Sequence, residues 1–128
     1  MTGAGSEEVR NELERARKCL AAAKALAGEG FLEDALSRSY YAVLHAARAL
    51  LLAEGVEATS HEGVKRMFGL AFVQSGKMDS RYGRILREEQ DDRFLADYDV
   101  AFTPDPERVE TRIHDAEAFL NEAKRQLG

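Results

Sequence analysis

One segment of the sequence, residues 31–54, carries side chains whose types and spacing suit chemistry on a phosphate. Between residues 40 and 53 every residue is apolar or tyrosine except His45 and Arg48. Arg38 lies seven residues before His45, nearly two helical turns, so both side chains project from one face of a helix. A guanidinium group can hold a phosphate through two hydrogen bonds, and a histidine can move a proton near neutral pH.

One arginine and one histidine are the smallest set of side chains that can cleave RNA without a metal ion, and Arg38 and His45 supply that set here. The histidine assists attack of the ribose 2′-hydroxyl on its own phosphate, and the arginine stabilises the developing negative charge. The alternative is structural, because an arginine and a histidine seven residues apart often only satisfy nearby acids. By spacing alone, this structural interpretation is the commoner one.

The apolar pattern around this segment predicts an all-α antiparallel bundle of about five helices, since no strand alternation is present. The predicted helices cover about residues 6–27, 31–54, 60–75, 79–97 and 105–127. Their predicted N-caps include Ser6, Ser60, Asp79 and Asp105. The first and last helices carry narrow apolar stripes that are expected to pack on the second. The second has more apolar circumference than two stripes can cover, so we also expect a homodimer.

Length and composition indicate one globular domain at residues 6–128, after a disordered N-terminus at residues 1–5. The longest unbroken apolar run is five residues, whereas a membrane span needs roughly 20. The only cysteine, Cys19, gives no sign of an oxidising compartment. We therefore expect a cytoplasmic protein without a membrane segment.

The net charge of −5 argues against binding to nucleic acid by charge alone. Residues 63–87 depart from this average, with six cations and one anion. The cations are Lys65, Arg66, Lys77, Arg81, Arg84 and Arg87. A polyanion could bind this segment. Alternatively, the cations form a solvated face paired with Glu and Asp of a neighbouring helix, which is the commoner outcome.

Four sequence blocks together resemble the HEPN family, whose name stands for higher eukaryotes and prokaryotes nucleotide-binding. The central helix contains the run ALSRSYYAVLHAARALL at residues 35–51. The later blocks, in the family's order, are SHEG at residues 60–63, FVQSGKMD at residues 72–79 and ADYD at residues 96–99. The resemblance covers about residues 31–99 and is specific because the four blocks occur together.

The resemblance implies a four-helix up-and-down core plus a short extra helix, and frequent homodimerisation. It also implies, in many members, a minimal nucleotidyltransferase that acts as antitoxin. Many HEPN domains are metal-independent ribonucleases with an Arg-x4–6-His motif, which Arg38 and His45 match with six intervening residues. By this resemblance the two residues are catalytic in a cleft between protomers, with no metal ion or other cofactor. The residues expected to bind RNA or a nucleotide are Tyr41, Arg48, His61, Lys65 and Arg66.

The chain departs from the best-known HEPN toxins just after the motif histidine. Those toxins carry x-Tyr there, the tyrosine that the nucleotidyltransferase modifies, whereas Ala46 and Ala47 follow His45. Ser39 only loosely fits the polar residue that often follows the motif arginine. The leading hypothesis is a HEPN ribonuclease, the toxin-like half of a two-gene pair. The alternative is a non-catalytic HEPN subunit that binds a nucleotide or a partner.

Overall fold

The computed structural model describes residues 3–128, with side chains from Ser6 onward, and consists of five α-helices and one π-helical segment. The α-helices are α1 (Gly3–Gly28), α2 (Leu32–Ala53), α3 (His61–Phe68), α4 (Ser80–Tyr98) and α5 (Pro106–Leu127). The π-helix, Gly69–Gln74, continues α3. No strand occurs within residues 3–128, so the all-α prediction is confirmed. No helix in that range is long and apolar enough to cross a membrane.

Most helix boundaries agree with the sequence prediction because local capping groups set them. The side chains of Ser60, Asp79 and Asp105 each accept a hydrogen bond from a backbone N–H of the following turn, at 2.8–2.9 Å. α2 ends just before Gly55, whose φ of +77° is a left-handed conformation that glycine adopts without strain.

The start of α1 differs from the prediction. The helix begins at Gly3, so Ser6 lies inside it and does not cap it. Residues 3–5 contain no proline, and nothing in their covalent structure stops a helix from extending back past Ser6. The predicted disorder of residues 1–5 concerns in part residues outside the described range and stays a prediction.

α2 is the central helix and packs against all four other α-helices. The flanking positions of α1 and α5 are confirmed, since Leu20 and Leu120 from their apolar stripes are both buried. Twelve of the 22 residues of α2 are buried, because α3 and α4 cover the circumference that the two stripes leave. The predicted homodimer therefore cannot be derived from uncovered apolar surface on α2. It stays a prediction that rests on the family resemblance.

A buried ion-pair network ties α4 to α5. Asp92 accepts two hydrogen bonds from Arg108, at 3.0 and 2.6 Å, and one from Arg112 at 2.8 Å. Burial by itself would raise the pKa of Asp92, but the hydrogen bonds from the two guanidinium groups outweigh it and hold that pKa below its usual value. The network fixes the position of α4, which supplies side chains to the site described below.

A second polar chain joins α2, α4 and α5 inside the core. The Ser39 hydroxyl lies 2.8 Å from Glu89 Oε1 and 3.1 Å from the backbone oxygen of Arg112. Burial raises the pKa of Glu89 well above its usual value, which favours the neutral acid. The Ser39 hydroxyl has one proton and two acceptors within reach, Glu89 Oε1 and the Arg112 carbonyl, so it ties both neighbouring helices to α2.

Candidate functional site

The residues of α2 that could bind a phosphate or transfer a proton lie on the most accessible stripe of the helix. Arg38 is exposed, and the half-buried Tyr41, His45, Arg48 and Leu52 follow it at steps of three or four residues. Such steps return to the same face of a helix. The stripe is about 21 Å long at 1.5 Å per residue. The sequence prediction that these side chains share one face is therefore realised at the surface of the bundle.

The first cleft along this stripe surrounds Arg38. The guanidinium carbon of Arg38 lies 4.9 Å from the centroid of the Tyr41 ring, within the range of a cation–π contact. Beside it, the Ser37 hydroxyl donates a hydrogen bond of 2.7 Å to Asp97. The cleft has a volume of about 470 Å³. Its lining residues are Leu26, Asp34, Ser37, Arg38, Tyr41 and Asp97.

His45, at the middle of the stripe, contacts α1. Its Nδ1 atom lies 2.7 Å from Glu12 Oε2. The two side chains are 18% and 21% exposed, so both are mostly removed from solvent. Sequence reasoning missed Glu12, because nothing in its local pattern distinguishes it from the other acids of α1.

A second cleft opens beyond His45, towards the end of α2. Arg48 lines it together with Glu12, which links this cleft to the histidine. Its volume is about 340 Å³, and Leu51, Leu52 and Val56 supply its apolar part. The stripe therefore has an accessible space at each end, one beside Arg38 and one beside Arg48.

His61, the first residue of α3, completes an aromatic cluster over the middle of the stripe. The centroid of its ring lies 5.5 Å from that of Tyr40 and 5.9 Å from that of Tyr41. Its Nδ1 is 3.3 Å from Nη2 of Arg93 on α4. Arg93 also places its guanidinium carbon 5.1 Å from the Tyr40 ring and forms an ion pair with Asp97 at 3.2 Å.

The surroundings of His61 favour its neutral form. Burial lowers the pKa of His61, and the positive charges of Arg93 and Arg48 lower it further. A neutral imidazole has one nitrogen that accepts a hydrogen bond, and here Nδ1 faces an arginine donor. His61 therefore acts as a hydrogen-bond acceptor within the cluster.

Sequence reasoning missed Arg93, because the apolar pattern of α4 is too weak to show which face packs inwards.

Lys65 and Arg66, the remaining predicted binding residues, line neither of these two clefts in the described part of the chain. Lys65 forms an ion pair with Glu62 at 3.3 Å, and Arg66 is exposed in the last turn of α3. Lys77 and Arg84 likewise pair with glutamates. This pairing supports the interpretation of the basic segment as a solvated face.

The site as a whole can hold an anion and exchange a proton. Arg38 and Arg48 supply accessible positive charge at its two ends, and His45 supplies a titratable ring between them. Over residues 3–128, no group of three or more His, Cys, Asp and Glu side chains is arranged to hold a metal ion. The chemistry that these residues can perform is phosphate binding together with proton transfer.

Comparison with known proteins places this chain in a family. Residues 9–126 match the family model of the HEPN domain. A protein of Methanocaldococcus jannaschii named as a candidate toxin is 40% identical over 121 residues, or 94% of this chain and 90% of the relative. Another candidate toxin of the same organism is 32% identical over 120 residues, covering 94% and 82%. A UPF0332 protein of Thermotoga maritima is 36% identical over 107 residues, covering 84% and 81%.

The chain belongs to the HEPN family. The matched range extends from α1 to α5 and so exceeds the four sequence blocks, which span about residues 31–99. The family resemblance noted in the sequence is confirmed over nearly the whole bundle.

Proposed function

We propose that this HEPN domain is a metal-independent endoribonuclease in which Arg38 and His45 act on the same phosphate. The observation that supports it is the composition of the accessible stripe of α2, where an arginine, a tyrosine and a histidine follow one another. Arg38 and His45 are about 10 Å apart along the helix axis. The guanidinium group of Arg38 is held against Tyr41, which lies between the two.

The proposed reaction is an internal transesterification. His45 takes the proton of the ribose 2′-hydroxyl, the 2′-oxygen bonds to phosphorus, and the bond from phosphorus to the 5′-oxygen breaks. Arg38 stabilises the additional negative charge on the phosphate oxygens through its two-pronged donor geometry. The products end in a 2′,3′-cyclic phosphate and a 5′-hydroxyl.

The leaving 5′-oxygen needs a proton, and this requirement supports a homodimer. If the stripes of two copies face each other, the histidine of the second copy can donate that proton while His45 acts as base. The composite cleft would then contain two histidines and two arginines around one phosphate. Activity should accordingly depend on the dimer.

The names of the relatives extend the proposal to the protein's role. Two relatives are named as candidate toxins, and we propose that this chain is the toxin-like half of a cytoplasmic two-gene module. A minimal nucleotidyltransferase would be its antitoxin. Ala46 and Ala47 stand where the best-known HEPN toxins carry x-Tyr, so the antitoxin would act here without modifying a tyrosine at that position.

The test is incubation of the purified chain with total RNA in EDTA, followed by end-group analysis of the products. Wild type should cleave and leave 2′,3′-cyclic phosphate ends. His45→Ala should lose about 10²- to 10⁴-fold in rate, the usual contribution of general acid–base catalysis. Arg38→Lys should also be strongly impaired, because lysine keeps the charge but loses the planar fork. His114→Ala, at an exposed position on α5, is the matched control. Equal cleavage by wild type and His45→Ala would overturn the assignment.

A non-catalytic nucleotide-binding subunit is the second candidate, and one observation favours it. The cleft beside Arg38 combines a cation, an aromatic ring and about 470 Å³ of space, which suits the phosphate and base of one nucleotide. If wild type fails to cleave RNA but binds ATP or GTP in calorimetry, and Arg38→Ala abolishes the binding, this candidate replaces the ribonuclease.

A further inference from the structure

The contact between Glu12 and His45 joins two helices through side chains that solvent reaches poorly. The residues are 33 positions apart in sequence, and Nδ1 and Oε2 are 2.7 Å apart. Both side chains are about four-fifths buried, with 18% and 21% of their surface exposed. Exposed ion pairs sample many geometries and contribute little, whereas this pair is confined by the packing of α1 on α2.

This geometry constrains where the imidazole carries its proton. An ionised carboxylate only accepts hydrogen bonds, so the ring nitrogen that faces it must be protonated. A neutral imidazole has a single N–H, and with that hydrogen on Nδ1 the lone pair is on Nε2. The two nitrogens of His45 are therefore unequal, and the difference originates on another helix.

We propose that Glu12 is the positioning residue of His45: it holds the ring in the Nδ1–H tautomer, so that Nε2 is the atom that takes and returns the proton. The tautomer follows from the contact alone, whereas its catalytic consequence rests on the proposed ribonuclease function. A carboxylate behind an imidazole is a general way to orient a histidine for proton transfer and to stabilise the charged ring that forms.

Two further observations distinguish this pair from a simple tie between helices. Glu12 and Arg48 line the same 340 Å³ cleft, so the carboxylate partner of His45 borders accessible space. His45 also lies on the accessible stripe of α2, three residues from Arg48 and four from Tyr41. A histidine that served only to hold α1 against α2 would not need to lie on the stripe that also carries Tyr41 and Arg48.

The first test determines the tautomer of His45 and does not depend on ribonuclease activity. Multiple-bond ¹H–¹⁵N correlation spectra of the labelled full chain distinguish protonated from unprotonated ring nitrogens at a pH where the ring is neutral. His45→Gln identifies the His45 signals. Wild type should show Nδ1–H, and Glu12→Ala should lose this preference. Glu14→Ala is the control, because Glu14 lies on α1 and pairs with the exposed Arg17. An Nε2–H tautomer in wild type, or a tautomer unchanged by Glu12→Ala, would overturn the proposal.

The second test measures how the tautomer affects cleavage. Glu12→Ala should lower kcat by about 10- to 100-fold, a part of the full contribution of histidine catalysis, with little change in KM. Glu12→Gln should recover much of the loss, because its amide oxygen can still accept from Nδ1–H. In the background of His45→Ala, Glu12→Ala should add no further loss, since both changes remove the same step.

The outcomes separate the two proposals. If Glu12→Ala cleaves RNA as fast as wild type, Glu12 does not position a catalytic histidine. If the alanine variant unfolds in urea too easily for kinetic work, Glu12→Gln and the spectra of wild type still decide the tautomer. If wild type shows the Nδ1–H tautomer but cleaves no RNA, the ribonuclease proposal fails while the positioning of the ring by Glu12 stands.

Discussion

Asp92→Asn tests the energetics that hold α4 in place, because it removes a charge while keeping the side-chain volume. Two guanidinium groups then lose their anionic acceptor. Removing one partner of a buried ion pair typically costs about 3–5 kcal/mol. The Arg108 side chain is 40% exposed, so solvent screens much of its share. The Arg112 side chain is only 15% exposed but keeps a second partner, Asp115, at 3.2 Å. The expected loss lies at the low end, about 3 kcal/mol.

Urea denaturation followed by helical circular dichroism measures this loss near neutral pH. The matched control is Asp91→Asn on the exposed side of α4, which should stay within about 0.5 kcal/mol of wild type. The stabilisation from Asp92 is present above the usual pKa of an aspartate and disappears as pH falls through its lowered pKa. The difference in the free energy of unfolding between wild type and Asp92→Asn should therefore become smaller in acid. A neutral-pH loss no larger than that of the control would refute the reasoning.

Three further predictions follow from the same structure. Burial raises the pKa of Glu89, so the contribution of Glu89 to the free energy of unfolding should be fully present below the usual glutamate pKa and be lost as pH rises through the raised value. Glu89→Gln should flatten that decline in plots of Tm against pH, and parallel curves would contradict it. Light scattering at micromolar concentration should give twice the chain mass of 14.2 kDa, whereas a monomer mass would contradict the composite cleft. Arg48→Ala should weaken RNA binding more than Arg66→Ala in a salt titration, because only Arg48 lines a cleft beside His45; equal losses would favour the basic segment as the binding surface.

The helices could be predicted from the sequence because their causes are local. The caps at Ser60, Asp79 and Asp105 act within one turn of the residue that supplies them. The prediction was wrong at Ser6, an equally good capping residue by type, because the helix continues back to Gly3. A capping side chain favours a helix start at its position but does not prevent helical residues before it.

The surroundings of the candidate site were harder to predict. Ser39 follows Arg38 in the family motif, yet its hydroxyl points into the core towards Glu89. Glu89 in turn is fully buried on a helix that is otherwise strongly polar, so its sequence context suggests a surface residue. Its neighbours are known only once α2, α4 and α5 are packed together.

The sequence by itself determined that Arg38, Tyr41, His45 and Arg48 share one face, because the geometry of a single helix relates residues three, four and seven positions apart. The family, too, was evident from four short blocks. Only the tertiary structure decided which groups meet that face. Glu12 reaches His45 across 33 positions, and Arg93 reaches His61 across 32. Those contacts depend on how whole helices rotate and slide against one another when they bury their apolar stripes, and no local pattern encodes that rotation residue by residue.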